Sequence, residues 1–227
     1  MTIDTTSTVG SLRELFDLYE LIGDEPPQWI TDKLRGQSHS YDPSELVRKA
    51  LECGVPSKYA VVLPDESRVP AMREGTSYYV SGISGDGKTT RAAEMLKGWL
   101  ASGGDALWVP SLDLLSELRD TYGTGGSELA VIRRYTGCGL LVIDDLGKGT
   151  FGRWAVSKLF QVLDARYSSA RTEKTEARPT IITSQHRLPA LAQIMGAEDR
   201  EAAQAIASRI HETYRSIDCG PTDRRLG

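Results

Sequence analysis

"SGISGDGKTT", residues 81–90, places three glycines, one lysine and two threonines between the β-rich "TSYYV" and the helix-forming "RAAEMLKGWL". Such a stretch suits neither a helix interior nor a strand, so it is a loop with a task. Gly82, Gly87, Lys88 and Thr89 match G-x-x-x-x-G-K-[ST], the phosphate-binding P-loop, in the strand–loop–helix context that the motif requires. Glycines let successive backbone N–H groups turn inward toward phosphate oxygens. The nucleotide-binding stretch is therefore read as Gly82, Ile83, Ser84, Gly85, Asp86, Gly87, Lys88, Thr89 and Thr90. Lys88 supplies a point charge to the β and γ phosphates from an exposed loop–helix junction. The Thr89 hydroxyl coordinates Mg²⁺, and the helix that begins there adds its positive dipole end.

Working outward, strands alternate with helices. "TSYYVS", "DALWVP", "GLLVIDD" and "PTIITS" read as strands. "RAAEMLKGWL", "SLDLLSELRDTY" capped by Ser111, "SELAVIRRY", a helix bearing Val156, Leu159, Phe160, Leu163 and Tyr167, and a last helix over 200–214 lie between and after them. That alternation predicts an α/β fold with a parallel sheet. The unbroken apolar run of "GLLVIDD" predicts a strand buried on both faces. Its end supplies carboxylates: Asp144 to hold Mg²⁺ through water, and Asp145 to orient or deprotonate an attacking water. ATP and Mg²⁺ are the expected ligands.

Upstream the pattern is looser. Ser11 and Glu14 form a capping box ahead of Leu12, Leu15, Phe16, Tyr19 and Ile22 on one helical face, and Asp42, Pro43 and Glu45 start a second helix ended by Gly54. The expected organisation is a helical N-terminal partner-binding region over 1–54, a linker over 55–75 and an ATPase domain over 76–227.

The whole chain sets bounds on these readings. Its 227 residues suffice for one sizeable core, 40% are hydrophobic, and no apolar run approaches a membrane span. The polar start "MTIDTTSTVG" is unlike a signal peptide, and three cysteines without metal-ligand spacing read as reduced thiols. A cytoplasmic protein is expected. Net charge is −4 overall, with −5 on residues 1–75 and +1 on residues 76–227, so a polyanion site belongs to the second part and the acidic first part suits a protein partner.

The ordered set "GISGDGKTT", "LLVIDDLG", "PTIITS" and "SRIHE" resembles the AAA+ ATPases and, within them, the DnaC/IstB branch, over roughly residues 55–227. That branch includes bacterial and phage helicase loaders and the ATPase subunits of transposons. The resemblance implies a five-stranded parallel sheet flanked by helices and no C-terminal lid. Asp144 and Asp145 occupy the Walker B pair, with Asp145 where many relatives have a Glu, which implies slow hydrolysis. Gln185 takes the sensor-1 position, with Thr183 and Ser184 as local alternatives. Arg209 matches an arginine finger acting on a neighbouring subunit's ATP; an ordinary solvated arginine is the alternative.

The segment "SLDLLSELRDTYGTGGSELAVIRRY" corresponds to a helical insertion that touches single-stranded DNA in relatives. Arg133, Arg134 and Tyr135 combine charge with a stacking face, and Lys148 and Arg153 add phosphate contacts. A solvated basic helix end is the competing reading for these residues. The expected partners are a DnaB-type hexameric helicase, single-stranded DNA and further copies of the ATP-bound chain, for a protein of phage or mobile-element type. An IstB-like transposition ATPase on duplex DNA, or a nucleotide-controlled switch with little hydrolysis, are the alternatives.

Overall fold

The computed structural model describes residues 42–62, 76–172 and 178–220. The amphipathic Leu12–Ile22 stripe and most of the expected linker lie outside these residues.

In chain order the described elements are α1 (Pro43–Glu52), α2 (Ser57–Ala60), β1 (Ser77–Ser81), α3 (Lys88–Ala101), β2 (Ala106–Pro110), α4 (Ser111–Thr124), α5 (Glu128–Gly137), β3 (Leu140–Asp144), α6 (Arg153–Thr172), β4 (Thr180–Ser184), α7 (Leu188–Gly196), α8 (Arg200–Thr213) and β5 (Tyr214–Asp218). The sheet order is β2-β3-β4-β1-β5, and every pairing is parallel. All four strands read from the sequence are present. The fifth, "YRSID", follows α8 without a loop and pairs with β1 from Ser77↔Tyr214 to Ser81↔Asp218. Its apolar content is too low for periodicity to reveal it, because it is an edge strand.

The period of two sorts the central strands into two cores. Leu141, Ile143 and Ile182 face α4–α8, whereas Leu140, Val142 and Ile181 face α1 and α3. Helix α1 begins at Asp42, whose carboxylate caps Ser44 and Glu45, and it buries Leu46, Val47 and Ala50 against the α3 side. It thus shares a core with the P-loop helix.

A buried arginine ties the sheet's lower ends together. Arg166 on α6 is 2% exposed and donates to the carbonyls of Tyr135, Cys138, Gly139, Arg178 and Pro179 at 2.7–3.1 Å, and to Thr180 Oγ1 at 2.8 Å. A guanidinium buried this deeply is tolerable only because its donors meet oxygens. Through these bonds the end of α5 and the starts of β3 and β4 are fixed. The far ends of β3 and β4, where Asp144 and Ser184 stand, are consequently held in register with each other.

Candidate functional site

The P-loop forms between β1 and α3. Asp86 is only 1% exposed, and its Oδ2 accepts the Ile83 N–H at 2.8 Å, closing the loop on itself. Gly82 is required beside it, since a Cβ there would meet Asp86 Oδ2 at 2.8 Å, and Gly87 turns at φ 81° to start α3. Lys88 corrects one expectation: it is 5% exposed, because its ammonium folds back to the Ile83 carbonyl at 2.6 Å. A buried ammonium needs such an acceptor.

The carboxylates stand opposite. Thr89 Oγ1 lies 3.3 Å from Asp144 Oδ1, and Thr183 Oγ1 donates to the same oxygen at 2.6 Å. Burial pushes the Asp144 carboxyl above its usual range, while the Thr183 bond pulls it back and the charge of Asp145 raises it further. Asp145 has φ 56°, the one non-glycine in the left-handed region among the described residues. The strain is held in place from several sides. Its N–H donates to Thr183 Oγ1 at 2.8 Å, its carbonyl accepts the Ser111 hydroxyl at 3.0 Å, and its carboxylate pairs with Lys148 at 3.3 Å. Ser111 therefore does not cap α4: the N-cap is Pro110, without a side-chain bond, and the Ser111 hydroxyl secures Asp145 instead.

A cavity of about 440 Å³ unites these parts, lined by Ser84, Gly85 and Gly87–Thr90 of the loop, by Asp145, Lys148 and Gln185, and by Lys58 and Tyr59. Of the three sensor-1 alternatives, Thr183 and Ser184 are fully buried; Thr183 serves the two aspartates, and Ser184 donates to the Leu146 carbonyl at 2.6 Å. Gln185 alone of the three reaches the cavity, and it is exposed there. Gly82, Ile83 and Asp86 shape the loop without lining the cavity. Lys58 and Tyr59 escaped the sequence reading because they lie in an irregular, proline-rich stretch with no motif spacing.

Arg209 stands outside that lining. Its guanidinium meets Asp164 Oδ1 through Nε at 2.8 Å and Nη2 at 2.5 Å, and stacks over Phe160 and Tyr167 at 4.9 and 5.4 Å.

Of the five residues assigned to DNA, Arg133, Arg134, Lys148 and Arg153 are exposed and Tyr135 is not. Tyr135 must be corrected: it is fully buried, its hydroxyl bonds to Glu117, and its ring packs in the core, so it offers no face to a base. Arg133 and Arg134 are both exposed, and Arg134 lies over that ring at 4.8 Å and pairs with Glu117 at 2.5 Å. Lys148 lines the P-loop cavity. Arg153, its side chain 82% exposed, lies 3.7 Å from Asp199 at the start of α6. On α4, Tyr122 is 64% exposed and edge-on to Trp154 at 6.2 Å.

Residues 72–226 match the family described as IstB-like ATP binding protein. The chain belongs to that family. The sequence is 32% identical over 96 residues to the replicative helicase loader DnaC of Escherichia coli strain K12, covering 42% of this chain and 39% of the relative. The match thus spans about two fifths of that relative's length. The crystal structure of the DnaC helicase loader superposes with a TM-score of 0.52 at 23% identity, over 64% of this chain and 78% of that one. That of DnaI gives 0.53 at 22%, over 81% and 95%. Domain III of the Thermotoga maritima replication initiation protein DnaA gives 0.53 at 17%, over 82% and 67%. The fold is accordingly that of an AAA+ P-loop domain of the DnaC/IstB branch, and membership in this ATP-binding family agrees with the P-loop cavity. No helix among the described residues is long and apolar enough to cross a membrane.

Proposed function

We propose that the protein is a slow, assembly-dependent ATPase that loads a DnaB-type replicative helicase onto single-stranded DNA. The observation that carries this reading is the single cavity that brings the P-loop, Asp145 and Gln185 together. Triphosphate oxygens bind the N–H groups of Ser84–Thr89 and the Lys88 ammonium. Asp145 accepts the proton of the attacking water, and Gln185 orients that water with its amide. Thr89 and Asp144 offer neighbouring oxygens, a donor set that suits a hard divalent cation. Mg²⁺ held there would neutralise phosphate charge. Asp145 is strained and paired to Lys148, so the base must leave that pair to act, in keeping with slow turnover. Arg209 acts on the ATP of an adjacent copy after release from Asp164.

Resemblance to a replicative helicase loader supports the helicase as client. The family match supports a second reading, a transposition helper on duplex DNA. Affinity capture from the host with the ATP-bound protein, paired with turnover on single- and double-stranded DNA, separates the two. Capture of a hexameric helicase with single-strand stimulation is expected. Capture of a transposase with duplex stimulation would overturn the loader reading.

A further inference from the structure

Lys97 sits at the middle of α3 with no exposed surface, and its ammonium donates to the carbonyls of Tyr59 at 2.9 Å and Ala60 at 3.1 Å. The core on this side of the sheet includes Leu96, Leu100, Ala60 and Val55, and a leucine at this buried position would avoid burying an amine. The acceptors explain the lysine. Helix α2 has four residues, far below the length at which a helix holds itself, and no side chain caps its start. Its end is fastened from below by Lys97.

That fastened end carries a wall of the nucleotide cavity. With the P-loop, Asp145, Lys148 and Gln185 at the phosphates, the remaining lining residues are Lys58 and Tyr59. Tyr59 is the cavity's one aromatic side chain, and the Lys58 ammonium lies 5.8 Å from its ring centre. Lys97 follows Lys88 by nine residues on the same helix, about 13 Å along its axis. One rigid helix thereby sets both the phosphate loop and the aromatic wall.

We propose that Lys97 is a positioning residue for the nucleotide: it holds the Tyr59 wall against which the base stacks, without touching the nucleotide itself. This rests on the nucleotide reading of the cavity. Base and phosphate contributions separate with two probes, ADP and inorganic tripolyphosphate, the second of which reads the P-loop alone.

The test is calorimetric binding of both probes to the wild type, Lys97→Met, Tyr59→Ala and the double variant, with thermal melting to confirm folding. Lys97→Met is expected to weaken ADP about tenfold, within the range of base–aromatic stacking, and to leave tripolyphosphate unchanged. Tyr59→Ala should do the same, and adding Lys97→Met to it should have no further effect. Where the methionine variant does not fold, Lys97→Gln, whose amide N–H groups retain part of the tether, serves with a smaller loss of ADP affinity expected and the same overturning results. Unchanged ADP affinity, or equal loss of both probes, overturns the proposal while the nucleotide reading stands. Failure of the wild type to bind either probe overturns both.

Discussion

Thr183 donates its hydroxyl proton to Asp144 Oδ1 at 2.6 Å and, through the same oxygen, accepts the N–H of Asp145 at 2.8 Å. One buried hydroxyl on β4 therefore orients both carboxylates at the end of β3. Valine has the same shape but can neither donate nor accept. Thr183→Val should leave a buried carboxylate oxygen short of a donor and lower stability by about 1.5–3 kcal/mol. Turnover should fall with it, because Asp145 loses a bond that sustains its left-handed backbone. Urea unfolding and a steady-state ATPase assay check the two effects. A variant as stable and active as the wild type would mean that the hydroxyl does not organise the pair.

The two aspartates should separate functionally. Asp144 is buried and accepts the Thr89 hydroxyl, whereas Asp145 opens to the cavity. Asp145→Asn should retain ATP binding and lose turnover. Asp144→Asn should also weaken Mg²⁺-dependent binding, since it removes a charged oxygen from the proposed cation ligands. Nucleotide titrations with and without Mg²⁺ distinguish them, and normal hydrolysis by both would reduce β3 to a core strand with a polar end.

Much of the sheet and the P-loop was legible because each carries a strong local signal. "LLVID" is buried on both faces and cannot be mistaken for a surface element, and the spacing from Gly82 to Thr89 is dictated by phosphate geometry. What escaped depends on tertiary placement. The sequence offers Thr183 as a sensor-1 alternative and Ser111 as a helix cap; only the fold brings their hydroxyls to Asp144 and Asp145. Tyr135 follows two arginines in sequence, yet α5 turns it inward while Arg133 faces out. Sequence adjacency does not preserve sidedness on a helix. Lys97 lies in the helix-forming stretch "RAAEMLKGWL", which mixes apolar and charged residues, so a lysine there reads as surface.

Arg134 is paired to Glu117, so Arg133 is the better probe of nucleic-acid binding. Arg133→Ala should reduce the log–log salt slope of single-strand affinity by about 0.7 if it neutralises one phosphate. Tyr135→Phe should leave that slope unchanged, because the ring is buried and only its hydroxyl is lost. Fluorescence anisotropy over a salt series measures both. An unchanged slope for Arg133→Ala would return that residue to a solvated helix end.

Arg209 is held by Asp164 and two aromatic rings on its own chain, at a side-chain exposure of 25%. If it serves a neighbour's ATP, Arg209→Ala should bind nucleotide normally as a monomer and lose concentration-dependent turnover. Arginine fingers contribute ~10³–10⁵ in rate among GTPases, which sets the upper scale of the loss. Mixing Arg209→Ala with Lys88→Ala should restore part of the activity, because one variant keeps a nucleotide pocket and the other keeps a finger. Wild-type turnover by Arg209→Ala at every concentration would leave Arg209 as a structural ion pair.

Lys97 also predicts a pH dependence of stability. Burial pulls its amine down to about 7 from the ordinary lysine range, with the charge of Glu94 opposing the shift. Below pH 7 the side chain is charged in both folded and unfolded chains, so folding bears the full cost of burying an ammonium. Between about pH 7 and 10.5 the unfolded chain holds this proton more tightly than the folded one, and stability rises with pH by at most about 1.4 kcal/mol per unit from this group. Other groups act in the opposite direction: burial lifts Tyr79 to about 12 and raises Cys53 and Cys138, so the folded state retains their protons at alkaline pH. The wild-type curve is therefore a composite, and its difference from Lys97→Met isolates the lysine. That difference should shift in favour of the wild type as pH rises from 7 toward 10 and level off below 7. Denaturant unfolding of both proteins across that range measures it. A difference independent of pH would show that the buried amine keeps an ordinary proton affinity and that its bonds to Tyr59 and Ala60 fully offset its desolvation.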